Sequence, residues 1–394
     1  MRIALVSPYS WTYPGGVTRH IEALAEQHLA AGHDVRVLAP VDPGDWLALR
    51  LHRGARPSCR PLPDYLVPLG RTFGFPSNGA VSNLAYGVST VVALRRELER
   101  GYDVVHLHEP VAPIPGWDSL TTVEAPLVGT FHCYSENVFS NNVANLIGAR
   151  RRLNRLHVRI AVSAAAAWTG RRFYGGTYRI IPNGVDVPAE PPAPRAPGGE
   201  SAPLRIAFVG QAVERKGLPV LLRAFEALRE HLPVTLHVVG VTADELRPLM
   251  LDDRGVVALG KCSDAEKGEV LEQADVLCAP SLGGESFGMV LTEAFAAGTP
   301  VVASEIAGYR DVVKHGANGL LVPRGDARAL AEALRDLALD SGRRSALARA
   351  ARASAERYAW PYVAAEVLAA YGDAIELHAA PAPASAAASR RARA

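Results

Sequence analysis

Short apolar runs bounded by glycine, proline or aspartate recur along this chain, and segments with helical spacing separate them. Ile3–Ser7, Asp34–Ala39, Asp103–His108, Pro126–Phe131, Arg159–Ser163 and Arg179–Ile181 read as strands in the first half. Leu204–Gly210, Thr235–Gly240, Val256–Gly260, Ala274–Pro280, Val301–Ser304 and Gly319–Val322 do so in the second. The runs are largely continuous rather than alternating, the pattern of strands covered on both faces in a parallel sheet. Val17–Ala31 puts Ile21, Leu24, Ala25 and Leu29 on one helical stripe and closes at Gly32. Ser263–Gln273 and Met289–Ala297 read as helices, residues 326–358 as helical, and Trp360-Pro361 as a break before a last helix to about Leu377. Strands alternating with helices predict a doubly wound α/β sheet in each half.

The pattern restarts after Val187–Pro203, a proline- and glycine-rich stretch with nothing to bury. Residues 1–182 therefore read as one Rossmann-like domain, 183–203 as a linker and 204–360 as a second such domain, with the helix at about 361–377 packing back on the first. Residues 378–394, largely Ala, Pro, Ser and Arg, read as a disordered tail. Residues 43–80 look irregular, with an arginine-rich patch at Arg50, Arg53, Arg56 and Arg60, and Arg150–Arg152 with Arg155 and Arg159 form a basic stretch on an expected helix.

A chain of 394 residues is long for one α/β domain and comfortable for two. The net charge of +2 supplies no domain-wide basic excess, and no aromatic-basic platform is visible, so nucleic acid is not an expected partner. Cys59, Cys133, Cys262 and Cys278 show no ligand spacing and read as free thiols of a reducing compartment. With no signal-like segment at the start and no apolar stretch near the ~20 residues of a membrane span, a cytoplasmic location is expected. Oligomeric state is left open.

The most informative stretch is Gly283-Gly284-Glu285-Ser286-Phe287-Gly288, between the Ala274–Pro280 strand and the helix from Met289. In an open α/β sheet, ligands sit in such a crevice at the carboxyl end of the strands. Glycines let a ligand approach the backbone, and the free N–H groups of the helix start favour a phosphate. Glu285 and Glu293, a little over two helical turns apart, suit acceptors for the hydroxyls of a ligand with two polyol ends, such as a nucleotide-sugar. Lys216, in the loop after Leu204–Gly210, lies where it can reach a diphosphate. Asp264 and Lys267, three apart at a helix start, face the same way. His132, at the end of a strand, lies on the cleft. No DxD pair and no His/Asp cluster is legible, so neither a metal nor another cofactor is expected.

This constellation resembles the E-x7-E motif of the family 4 retaining glycosyltransferases, and GGESFG is close to the form in actinobacterial phosphatidylinositol mannosyltransferases. The resemblance runs from Met1 to about Leu377. It implies an α/β GT-B fold, two doubly wound Rossmann-like domains facing across a cleft, the first on the acceptor side and the second binding the nucleotide-sugar. It implies a donor site of Gly16, Gln211, Arg215, Lys216, Asp264, Lys267, Gly284, Ser286, Phe287, Gly288, Met289, Val290 and Glu293, with His132, Glu285 and Lys216 carrying the catalysis. Asp264 and Lys267 match positions that contact guanine, which favours a GDP-sugar donor. The family pattern has an arginine directly after the strand glycine; here that position is Gln211, and Arg215 is the candidate to compensate.

The implied reaction is same-face transfer through an oxocarbenium-like state, with retention and without a metal. On the acceptor side Asn78 matches, but Asn83 stands where the resembled enzymes have a phosphate-binding arginine, and their lysine-rich first-domain helix carries only Arg95 and Arg96 here. These departures favour a small soluble acceptor, an intermediate of a secondary metabolite or a thiol, with Tyr134, Asn137, Asn141 and Asn142 as a polar pocket wall. Peripheral membrane contact is then not favoured. Two alternatives stand beside this reading: a GDP-mannose-dependent phosphatidylinositol mannosyltransferase at the membrane surface, and a non-catalytic nucleotide-sugar-binding partner.

Overall fold

A computed structural model describes residues 1–77, 80–190 and 203–380. The expected tail beyond 380, the linker between 190 and 203 and Asn78 lie outside these residues. In chain order the strands are β1 Arg2–Val6, β2 Asp34–Ala39, β3 Leu66–Pro68, β4 Thr72–Ser77, β5 Ala80–Ala85, β6 Val104–His108, β7 Leu127–Phe131, β8 Val158–Ala161 and β9 Arg179–Ile180. Then follow β10 Leu204–Val209, β11 Val234–Val239, β12 Val256–Gly260, β13 Val276–Ala279, β14 Val301–Ser304 and β15 Gly319–Val322. One sheet runs β3-β2-β1-β6-β7-β8-β9, a second β12-β11-β10-β13-β14-β15, and every pairing within them is parallel.

Both sheets reverse direction beside their first strand, between β1 and β6 and between β10 and β13. Such a switch point opens a crevice at the carboxyl ends of the strands. Loops leaving β1, β6, β7, β10 and β13 therefore carry the groups that can meet a ligand. The strands are buried on both sides: Ile3, Leu5, Val104 and Val128 under one sheet, Ile206, Leu236, Val276 and Val302 under the other.

The last helix runs Trp360–Ala379, beginning where Pro361 can sit without losing a hydrogen bond. Val363, Val367 and Tyr371 share one core with Ile3, Leu5 and Ile21 of the first half, and the Tyr371 hydroxyl meets His106 Nδ1 at 2.8 Å. Where the chain crosses, Val185 and Ala359 form a parallel bridge.

Residues 43–80 are more ordered than the sequence suggested. Asp45 caps a short helix, Trp46–Leu51, and holds Arg71 through both carboxylate oxygens. The buried Asp42 carboxylate accepts from Ser10, the Thr72 N–H and the Thr72 hydroxyl. An antiparallel hairpin, β4 with β5, then folds back so that Ala85 N–H donates to Pro8 and Ser10 N–H to Asn83. Glycine and proline inside the hairpin masked its strand character. The basic stretch also divides: Arg159 is buried in β8 and donates to the carbonyls of Gly175 and Leu153, and Arg155 donates to those of Leu120, Thr121 and Val123. Only Arg150 and Arg151 face solvent on the helix Ala149–Leu153.

His20, His28, His106, His108 and His132 are among the buried histidines of the first half. Burial lowers the pKa of each, His20 and His28 to about 4. The folded state therefore binds fewer protons than the unfolded one below pH 6.5, and stability falls as pH drops through that value, by about 1.4 kcal/mol per pH unit for each fully coupled histidine. Chemical denaturation between pH 7 and 5 is expected to show a slope of more than two such histidines, and a pH-independent midpoint would refute it.

Candidate functional site

The donor-side loops are fixed by backbone geometry before any side chain is considered. Gly217 has φ +68°, and a β-carbon there would lie 2.0 Å from the Pro280 carbonyl oxygen. Glycine thus lets the Glu214–Lys216 turn seat against the end of β13, where Leu282 N–H donates to the Arg215 carbonyl at 2.7 Å. Gly288, at φ +87°, starts the helix Met289–Ala296 beneath the Tyr309 ring. The strand–glycine loop–helix order expected around Glu285 is the one observed.

These two turns bring Arg215, Lys216 and Glu285 together. One carboxylate oxygen of Glu285 accepts from Arg215 Nη1 at 2.5 Å and lies 2.8 Å from Lys216 Nζ. All three side chains are mostly buried, so the charges sit in a medium that screens them less than water does. Gln211 is exposed at the start of the same loop. Gly284 and Gly288 leave the backbone open around Ser286, while Phe287 turns inward against Tyr358 and offers a ligand its backbone alone.

A second chain of charges runs along the cleft. Lys267 Nζ lies between Asp264 at 3.0 Å and Glu293 at 2.9 Å, and Arg19 reaches Asp264 from the first half at 2.8 Å. Burial pulls the Lys267 pKa down, but Glu293 and Asp264 outweigh it and raise it. Glu293 projects from the Met289–Ala296 helix with Val290 one turn before it. Lys267, paired by sequence with Asp264, thus also ties down Glu293, which spacing along the chain does not reveal.

Among the described residues, polar contacts between the halves include Arg19 with Asp264, Tyr134 N–H donating to Ser286 Oγ at 2.7 Å, and Ala165 N–H donating to Asp311 at 3.2 Å. A β-carbon on Gly16 would stand 3.4 Å from Met289 Sδ, which places the glycine loop after β1 opposite the helix start after β13.

His132 follows β7 and is buried at the cleft wall, its Nε2 3.0 Å from His108 Nδ1. The Glu109 carboxylate accepts the His132 N–H at 3.0 Å, and burial raises its pKa against the pull of hydrogen bonds from Cys133 and the backbone N–H groups of His132 and Cys133. His20 packs edge-on against His108 and His132. His20, His108 and Glu109 were missed from sequence, and the cluster corrects the reading that no such group was present. The available signal was His-Leu-His-Glu-Pro at the end of an apolar run, where a switch-point strand delivers its polar residues.

The expected acceptor residues are already engaged. Asn137 caps the helix Val138–Leu146 through its side chain, and Tyr134 donates its hydroxyl to Glu136 at 2.5 Å. Asn141 is buried, accepting from Tyr174 and donating to the Asn137 carbonyl. Of the polar wall expected from Tyr134, Asn137, Asn141 and Asn142, the first three are therefore mostly internal wiring, while Asn142 is exposed on a helix that also exposes Val138, Phe139, Val143, Leu146 and then Ile147.

Residues 14–188 match a family model described as Glycosyltransferase Family 4, and residues 203–340 one described as Glycosyl transferases group 1. A phosphatidyl-myo-inositol mannosyltransferase of Mycobacterium leprae is 38% identical over 378 residues, covering 94% of this chain and 96% of that one. A D-inositol 3-phosphate glycosyltransferase of Xylanimonas cellulosilytica is 31% identical over 349 residues, 78% and 81% of the two chains. The crystal structure of Anabaena Alr3699/HepE in complex with UDP superposes with a TM-score of 0.70 at 21% identity, over 94% of this chain and 100% of that one. Two parallel sheets joined through a returning C-terminal helix, with sequence identity across nearly the whole chain, show that this protein is a glycosyltransferase of GT-B fold and belongs to glycosyltransferase family 4.

Proposed function

We propose that the protein transfers a mannosyl group, with retention, from GDP-mannose to phosphatidyl-myo-inositol at a membrane surface. Identity to the mannosyltransferases across the whole chain supports this over the soluble acceptor. The observation that carries the acceptor half is the helix Val138–Leu146, six residues beyond His132. Asn141 faces inward and Asn142 outward, while Phe139 and Leu146 are 79% and 86% exposed. Arg150, Arg151, Arg171 and Arg172, on the elements packed beside it, are exposed or nearly so and have no ion pair among the described residues. Apolar side chains ringed by unpaired cations suit an anionic lipid surface. Among the described residues no helix is long and apolar enough to cross a membrane.

On the donor side, Arg215 and Lys216 exchange Glu285 for the diphosphate, which the N–H groups at Gly288–Met289 also meet. Arg215 thereby supplies the charge that Gln211 lacks. Glu285, released, accepts from the sugar hydroxyls, and Glu293 from the ribose. The C1–O bond to the β-phosphate breaks as the inositol hydroxyl bonds to C1 on the same face, and that hydroxyl's proton passes to the departing phosphate oxygen. No metal is required, since protein cations and N–H groups carry the developing charge. The Asn83 substitution favours the soluble-acceptor reading, but its amide oxygen is engaged by His52 at 3.0 Å.

Glu285→Ala is expected to lower kcat by roughly 100- to 1,000-fold with GDP still bound, whereas Glu293→Ala should weaken GDP itself. Titration calorimetry and turnover of both variants check this; unchanged turnover in the first removes Glu285 from the chemistry. Arg215→Ala should weaken GDP by roughly 10- to 150-fold, about 1.5–3 kcal/mol for a hydrogen bond to a charged group, while Gln211→Arg should give no gain. A clear gain for Gln211→Arg with Arg215→Ala silent would overturn the compensation.

With labelled GDP-mannose and phosphatidylinositol vesicles, label should enter the organic phase. Replacing Phe139 and Leu146 by serine should cut vesicle co-sedimentation at least tenfold. Label found exclusively on a water-soluble acceptor would restore the soluble reading.

A further inference from the structure

We propose that His20, His108 and His132 form a binding site for one divalent transition-metal ion of the imidazole-preferring class, and that the bound ion stops transfer by taking His132. The three side chains come from separate, rigid elements: the helix Gly16–Ala30, the last residue of β6 and the residue after β7. One ring nitrogen from each lies within 4.8 Å of the other two, and all three residues are buried. His108 Nδ1 and His132 Nε2 are 3.0 Å apart, close to the roughly 3.4 Å between two nitrogens on one tetrahedral zinc with bonds of about 2.1 Å.

One further nitrogen marks the cluster as incomplete. His20 Nδ1 is buried without a hydrogen-bond partner, and His108 Nε2, also unpartnered, lies on the other side of its ring from the Nδ1 that meets His132. An unpaired buried polar atom is costly, so the His20 nitrogen kept this way beside two other imidazoles calls for a ligand or another reason. Burial also keeps the rings neutral, and a metal displaces the hydrogen bond between His108 Nδ1 and His132 Nε2, whose proton moves to another ring nitrogen or leaves. The donor set selects the ion. Three imidazoles suit Zn2+, Co2+ or Ni2+, whereas Mg2+ and Ca2+ require oxygens. Glu109, which accepts from the His132 N–H, is a carboxyl next to the cluster that can offset the ion's charge.

Binding does not depend on what the enzyme transfers; the inhibitory half rests on the catalytic reading of His132. The test uses untagged full-length protein stripped with EDTA and dialysed. Titration with CoCl2 and ZnCl2 should show one ion per chain at micromolar affinity, with visible cobalt bands of tetrahedral type, and MgCl2 should show none. His20→Ala and His20→Gln should each weaken zinc at least tenfold, while His231→Ala, on an exposed residue of the second half, should not.

Anomalous diffraction from zinc-soaked wild-type crystals keeps the test independent of the variants' folding. A peak among the three rings supports the site; peaks restricted to surface histidines, or zinc affinity unchanged by both His20 variants, would overturn it. Stoichiometric zinc should abolish turnover, with recovery in EDTA. Binding at the three rings with turnover unchanged would keep the site and overturn the inhibition.

Discussion

Packing around Trp360 holds the arrangement together. A β-carbon on Gly184 would stand 2.3 Å from the Trp360 ring, so the crossing chain can lie flat on the indole only because glycine is there. The same ring packs 5.3 Å from His20. One buried indole therefore sets where the second half returns to the first and presses against a histidine of the cluster beside the cleft. From it the last helix continues into the core of the first sheet through Val363, Val367 and Tyr371. Two sheets that share no strand are joined by this element and by a buried cluster in which Ala161, Val162, Ala166 and Ala167 meet Phe287, Leu291 and Tyr309.

Across the cleft, electrostatics are arranged to be rearranged. The loop around Glu285 neutralises itself: Glu285 pairs with both Arg215 and Lys216, the cations proposed to meet the diphosphate. Pairing keeps two cations in a poorly screened site from repelling each other, at the cost of competing with the ligand. Lys267 does the same for Glu293. On the proposed function these groups are held as internal ion pairs, and an incoming nucleotide-sugar would replace each with an equivalent contact.

The sequence made the two-sheet plan readable because parallel strands covered on both faces leave continuous apolar runs. Asp34–Ala39, Val256–Gly260, Val301–Ser304 and Gly319–Val322 stand as expected to the residue. Glu285 and Glu293 were legible because the glycines around them have no use in a plain strand–helix turn. The β4–β5 hairpin was hidden by Gly74 and Pro76, and the buried role of Arg159 by its place in a basic run. The histidine cluster escaped because its members come from positions 20, 108 and 132, and only the sheet order β1-β6-β7 brings them side by side. The asparagines after His132 misled for a related reason: a polar side chain in a helix can bond the protein as readily as a ligand, and Asn137 and Asn141 do.

The two side-chain contacts that span the cleft mouth are made of different materials. Arg19 and Asp264 are 48% and 68% exposed, so their attraction is worth at most about 1 kcal/mol and fades when ionic strength shortens the Debye length below ~10 Å. The bond from Tyr134 N–H to Ser286 Oγ involves no net charge and lies partly buried, where dissolved ions reach it little. Salt therefore weakens the contact that Arg19 makes and leaves the one at Tyr134 nearly unchanged.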